Sequence, residues 1–246
     1  MDRMLYIGMS GAKEVMLRQE NTANNLANAN TTGFKKDLES FKAVPIVGPG
    51  YQSRIYTQDH GAGTDFKPGP LISTGNPMDI AVKGSGWIAV QGPNGREGYT
   101  RDGQLKVNRN GMLTTNRGEL VIGNSGPISI PPSSKINIGT DGTVTVRPNG
   151  QQPDALAVVN RIKLVNPSHK NLVKSPSGLM HLKSGKPARA DANVHVVSGA
   201  LEGSNVNTVE SMVNMISLAR QYDLQVKVMK TAQHNAQAST QLINLT

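Results

Sequence analysis

The sequence predicts an α+β protein: N- and C-terminal helices paired as a coiled-coil stalk, with a central all-β domain between them. Three observations carry that expectation. Apolar residues recur at heptad spacing near the N-terminus, and they recur the same way near the C-terminus. The long middle alternates short β-favouring runs with turn dipeptides.

The first helix is expected from Asp2 to Asn28. Leu5, Met9, Ala12, Met16, Gln19, Ala23 and Leu26 step by alternating fours and threes, the a/d spacing of a coiled-coil seam. No proline precedes Pro45, and Asn30-Thr31-Thr32-Gly33 is a plausible stop, with Gly33 free to take a positive φ. The last helix is expected from Asn207 to Asn244. Met212, Ile216, Ala219, Tyr222, Val226, Met229, Gln233, Ala236, Thr240 and Ile243 form its seam, with one short step between Ala219 and Tyr222. Thr208 is the expected cap; Ser211 then falls at the third helical position, so no capping box forms. Gln19, Gln233 and Thr240 are polar seam positions that weaken a seam but fix its register.

Between the helices, Asp79–Lys83 and Trp87–Gln91 read as a hairpin across Gly84-Ser85-Gly86. Asn94-Gly95, Asp102-Gly103, Asn110-Gly111 and Asp141-Gly142 mark further turns, and short Val-, Ile- and Leu-rich runs lie between them. Residues 36–74 contain Pro45, Gly48-Pro49-Gly50 and Gly61-Ala62-Gly63, and read as an extended connector. The expected organisation is therefore 1–35, N-terminal helix; 36–74, connector; 75–200, β domain; and 201–246, C-terminal helix.

Composition excludes several functions. The 246 residues contain no cysteine, which removes disulfide scaffolds, thiolate metal sites and cysteine nucleophiles. No apolar run is long enough to span a bilayer, so no membrane insertion is expected, and the N-terminus does not read as a secretory signal peptide. The formal charge is +9, and nearly all of it falls within residues 71–200. Those basic residues are scattered singly, with only Trp87 and Tyr99 from the aromatic class near them, which argues against nucleic acid and for a solvated basic surface that suits an acidic partner or an anionic envelope. Among the five histidines none pair at helical spacing, so no metal site is expected. Gly84–Ala89 fits a dinucleotide fingerprint formally, but it leads into a strand instead of opening a helix. No catalytic residue, cofactor or metal ligand is nominated.

Two stretches carry a specific resemblance. Asn24-Asn25-Leu26-Ala27-Asn28-Ala29-Asn30-Thr31-Thr32-Gly33-Phe34-Lys35 resembles the N-terminal signature of bacterial flagellar rod and hook proteins. Leu201-Glu202-Gly203-Ser204-Asn205-Val206-Asn207, continuing into Ala219-Arg220-Gln221-Tyr222, resembles that family's C-terminal signature. Gly75–Gln91 and Gly98–Gly103 are similar to its β domain, so the resemblance covers essentially the whole chain.

The resemblance implies a structural, non-enzymatic subunit of the flagellar basal-body rod. It implies export through the flagellar type III apparatus without a cleaved signal, and assembly in the periplasm with copies of itself and with other proximal and distal rod subunits. The short span between Lys35 and Gly75 favours the proximal rod over the distal rod. The terminal seams then become the assembly interface: Leu5, Met9, Ala12, Met16, Ala23 and Leu26 from the first helix, with Met212, Ile216, Ala219, Tyr222, Val226, Met229, Ala236 and Ile243 from the last. The motif residues Asn24, Asn25, Leu26, Ala27, Asn28, Gly33, Phe34, Gly203, Ser204, Asn205 and Val206 are expected to hold the helix exits, the asparagine amides fixing the Gly33-Phe34 turn. Apart from the resemblance, the residues also allow a carbohydrate-binding or enzymatic β domain on a coiled-coil stalk.

Overall fold

A computed structural model of the chain describes residues 2–39, 41–45, 55–59, 63–148 and 156–243. It is α+β, with two long helices packed on each other and a β-rich middle. The chain divides into two compact units. A helical unit holds residues 1–29, 36–65 and 206–246; a β unit holds 30–35 and 66–205.

In the helical unit, α1 (Asp2–Ala27) and α2 (Thr208–Ile243) run antiparallel. The segment expected as a plain connector is structured: Phe41–Pro45 pairs with Ile55–Asp59, and Asp37–Leu38 with Gly63–Thr64. Residues 46–54, with Gly48-Pro49-Gly50, lie outside the described residues. The cap of α2 is Asn207, not Thr208. The Asn207 Oδ1 accepts the Glu210 N–H at 3.1 Å, which places Glu210 at the third helical position, and the Asn207 carbonyl accepts both the N–H and the hydroxyl of Ser211.

In the β unit, Trp87–Gln91 lies near the middle of a nine-stranded antiparallel sheet. Its neighbours are Glu97–Thr100 and Leu120–Gly123. Ile88 and Val90 feed a core with Ile80, Leu113, Val121 and Ile128, while Trp87 and Ala89 feed a second with Tyr99, Val165 and Met180. Burial on both faces explains why this strand is apolar throughout instead of alternating. Ser133–Ile138, Thr143–Pro148 and Ala157–Arg161 form a three-stranded sheet.

The expected hairpin between Asp79–Lys83 and Trp87–Gln91 does not form. Ile80–Lys83 pairs instead with His195–Ser198. The Arg101 guanidinium donates to the Val82 carbonyl at 3.4 Å and to the Gly84 carbonyl at 2.7 Å, so those acceptors are taken by a side chain. The turns at Asn94-Gly95, Asn110-Gly111 and Asp141-Gly142 form with positive φ at glycine, as expected. Asp102-Gly103 is different: its glycine has no positive φ, and a β-carbon there would stand 1.6 Å from the Ile80 carbonyl oxygen. That glycine permits close backbone approach.

Candidate assembly interface

Within the helical unit the packed seam uses small residues. Gly8, Ala12 and Val15 of α1 are buried, and so are Ser211, Leu218 and Ala232 of α2. A β-carbon on Gly8 would stand 2.9 Å from Met229 Cγ, and one on Gly11 would meet the Gln225 carboxamide at about 3 Å. The α2 seam runs 211, 215, 218 and later 225, 229, 232, one position before the expected row over most of the helix. The small residues Gly8 and Gly11 of α1 let Met229 and Gln225 of α2 approach closely. Gln233 and Thr240 accordingly lie exposed, and the Thr240 hydroxyl bonds back to the Ala236 carbonyl.

The expected interface residues separate into groups. Leu5, Met9, Met16 and Ala23 of α1 are exposed, as are Met212, Ile216, Ala219 and Tyr222 of α2. Met16 is 63% exposed and Ile216 57%. Ala12 is buried in the seam; Leu26, Val226, Met229 and Ala236 are half-buried. Ile243 closes α2, and its side chain lies outside the described residues.

The motif residues hold two places. In the helical unit, Asn25 is buried and clamps Asp37: its Nδ2 donates to the Asp37 carbonyl at 2.9 Å, and its Oδ1 accepts the Asp37 N–H at 2.8 Å. One side chain thus takes both backbone groups of Asp37, whose strand pairs with Gly63–Thr64. The Asn28 backbone N–H and its Nδ2 both donate to the Asn24 carbonyl, closing the last turn of α1. Leu26 is half-buried there, Ala27 exposed and Val206 buried.

In the β unit, Gly33 has φ +67° and donates its N–H to the Glu202 carbonyl at 2.7 Å. A β-carbon on Gly33 would stand 2.3 Å from the Arg101 carbonyl carbon. Phe34 is buried with the Lys174 ammonium 4.2 Å above its ring. Gly203 donates to the Pro70 carbonyl at 2.8 Å, Ser204 is buried, and Asn205 Nδ2 donates to the Lys67 carbonyl at 3.1 Å. Of the expected asparagine anchors, Asn25 acts on Asp37 and Asn28 on Asn24, while the Glu202 carbonyl holds the Gly33 N–H.

Within the β unit these residues surround a buried ion cluster. Glu202 Oε1 accepts from Lys35 Nζ at 2.6 Å and from the Gly69 N–H at 3.0 Å, and Oε2 accepts from Arg101 Nη1 at 2.7 Å. Lys35 also donates to the Lys67 carbonyl. Burial alone would raise the Glu202 carboxyl, but Arg101 and Lys35 outweigh it and hold the group below its ordinary value. Burial pushes nearby Asp102 the other way, above the ordinary value, although the Thr32 hydroxyl donates to it at 2.8 Å.

Sequence reasoning missed this cluster. Lys35 and Glu202 stood inside the two recognised motifs and Arg101 inside the similar stretch Gly98–Gly103, but their meeting at one carboxylate with the Gly69 N–H is visible only in the tertiary contacts. No group of three or more His, Cys, Asp or Glu side chains suited to a metal ion occurs among the described residues, and no helix searched there is long and apolar enough to cross a membrane.

Three family models match parts of the chain. The family model described as flagella basal body rod protein matches residues 5–35. The flagellar hook protein FlgE/F/G D1 domain matches 81–146, and the flagellar basal body rod FlgEFG protein C-terminal region matches 197–242. The chain is 38% identical to flagellar basal-body rod protein FlgF of Salmonella typhimurium and 37% identical to that of Escherichia coli, over the full length of every chain. It is also 32% identical to flagellar basal-body rod protein FlgG of Buchnera aphidicola, over 93% of this chain and 95% of that one.

Proposed function

The chain belongs to the flagellar basal-body rod protein family and is a FlgF-like structural subunit of that rod; beyond this we propose that it sits in the proximal rod and polymerises through α1 and α2 into the periplasmic drive shaft. The supporting observation is the set of large apolar side chains left bare on both helices, Met9, Met16, Met212 and Ile216 foremost. Exposed apolar area of that kind marks an interaction surface. The partners are copies of itself and other proximal and distal rod subunits. The chain reaches its place through the flagellar type III export apparatus and carries no enzymatic activity. The basic surface of the β unit faces outward from the tube.

The test is motility. In a cell whose own copy carries Ile216→Asp or Met16→Asp, the expected outcome is loss of swimming at unchanged protein level. Both residues are exposed, so neither change disturbs the packed seam. Normal swimming with either variant contradicts the reading.

A further inference from the structure

We propose that an open cleft on the β unit is a docking groove for an acidic, extended segment of a protein other than this chain. The cleft lies wholly within the β unit, so the inference does not rest on how α1 and α2 assemble.

The cleft encloses about 790 Å³ and is framed by three short segments. Residues 92–96 join Trp87–Gln91 to Glu97–Thr100, residues 175–179 join Leu172–Lys174 to Met180–Leu182, and the loop 183–187 follows. Pairing of Met180 with Tyr99 brings the second hairpin beside the first. The volume falls in the range of specific ligand sites, about 300–1,000 Å³. Pro93, Pro127, Pro176 and Pro187 stand in the lining. Proline fixes its own φ, so the rim is stiff before anything binds and loses little freedom on binding.

Charge singles this cleft out. The β unit holds 17 Lys and Arg against 8 Asp and Glu, which accounts for the whole +9 and leaves the helical unit neutral. From Ala155 to Ala190, the stretch that supplies one wall, there are seven Lys and Arg and no Asp or Glu. Arg96 and Lys186 face each other's segments across the lining, both exposed, and neither meets a carboxylate among the described residues. Glu97, the one carboxylate in that lining, is already taken: Lys163 Nζ donates to its two oxygens at 2.9 and 2.8 Å. His181 donates its Nδ1–H to the Glu97 carbonyl at 3.0 Å, which leaves Nε2 as an acceptor for a backbone N–H.

These groups select the occupant. Two unpaired cations call for carboxylates. Ile122 and Leu182, half-buried in the lining, call for apolar side chains between them. An extended peptide offers both, and its N–H groups suit His181. Nucleic-acid bases stack on aromatic side chains, and no Trp, Tyr or Phe lines the cleft among the described residues. A second copy of the chain is a poor partner, because its helical unit is neutral and its β unit carries the same excess, so like charges meet.

The probe is a short fluorescein-labelled peptide repeating glutamate, leucine and proline, with a counterpart that has glutamine for glutamate. Each is titrated with the full-length protein at physiological ionic strength and followed by fluorescence anisotropy. The glutamate peptide is expected to bind saturably, and the glutamine peptide about tenfold more weakly or worse. Arg96→Glu and Lys186→Glu each set a like charge against the peptide and are expected to weaken it by about tenfold or more. Arg109→Glu makes the same charge change on the turn between Leu105–Val107 and Leu113–Thr115, at the far edge of the sheet, where salt screens it; the expected change is less than about twofold. Trp87 emission checks that each variant is folded. Equal losses in all three variants overturn the cleft as the site. No saturable binding, or equal binding of the glutamine peptide, overturns the acidic segment. A sulfated oligosaccharide that displaces the peptide at lower concentration, with the same dependence on Arg96 and Lys186, overturns a protein as the occupant.

Discussion

Lys35 and Glu202 stand 167 positions apart in sequence and meet at 2.6 Å, each side chain only 1% exposed. Arg101 approaches the same carboxylate at 2.7 Å. Two cations thus share one buried anion, and the costs of removing each member differ. Glu202→Gln leaves two buried cations without their counter-charge and is expected to cost about 3–5 kcal/mol. Lys35→Met leaves a paired Arg101 and Glu202, and is expected to cost about 1–3 kcal/mol. Urea unfolding followed by Trp87, the single tryptophan and a buried residue of the β unit, measures both. Equal costs for the two variants contradict the sharing.

Acid acts through the same cluster. The Glu202 pKa is lowered on folding, so its stabilisation is complete above the ordinary carboxylate value near 4 and is lost as pH falls below it. The raised Asp102 pKa works in the opposite sense, since folding binds its proton more tightly. Wild-type β-unit stability is expected to fall below about pH 4, and Glu202→Gln to flatten that fall. Asp102→Asn, which removes the opposing group, is expected to steepen it. Thermal melts read through Trp87 between neutral pH and acid check both directions.

Gly33→Ala is expected to destabilise the β unit by about 2 kcal/mol or more, because the position combines positive φ with a backbone approach that leaves no room for a β-carbon. Gly185→Ala is the comparison: it has similar φ and open space around it, so it should cost about 1 kcal/mol. Denaturant midpoints separate the two. Equal costs would mean that the contact with Arg101 is immaterial.

Amide hydrogen exchange is expected to rank the two units. The hairpin seam buries Val15 and Leu218 as its only large apolar side chains among the described residues, beside Gly8, Ala12, Ser211 and Ala232, whereas the β unit buries Ile80, Ile88, Leu113 and Val121 completely. Amides of α1 and α2 in dilute protein should therefore exchange well before those of Trp87–Gln91. Helix amides as slow as that strand would contradict the ranking.

Much of the fold was legible because periodicity and turn chemistry are local. The seams gave both helices within a residue or two of their ends, and the Asn-Gly and Asp-Gly pairs at 94, 110 and 141 mark real turns. What was not legible depended on distant partners. The row that packs on α1 lies mostly one position before the expected α2 row, because Gly8 and Gly11 of α1 leave room there for Met229 and Gln225, and no local pattern on α2 records that. Ile80–Lys83 looked like half of a hairpin because nothing local reveals that Arg101 takes the Val82 and Gly84 carbonyls. Read locally, the span 30–35 groups with the N-terminal helix segment as its stop, but Gly33, Phe34 and Lys35 are held by Glu202, Asn205 and Lys67 of the β unit. A β fragment beginning after residue 35 should accordingly unfold more readily than one that keeps 30–35.

Sedimentation velocity of the full chain tests the central claim, that bare side chains on the terminal helices drive assembly, most directly. Wild-type protein is expected to form large species as concentration rises. Ile216→Asp is expected to remain monomeric with the Trp87 emission of a folded β unit. An Ile216→Asp protein that assembles as readily as wild type would contradict the account.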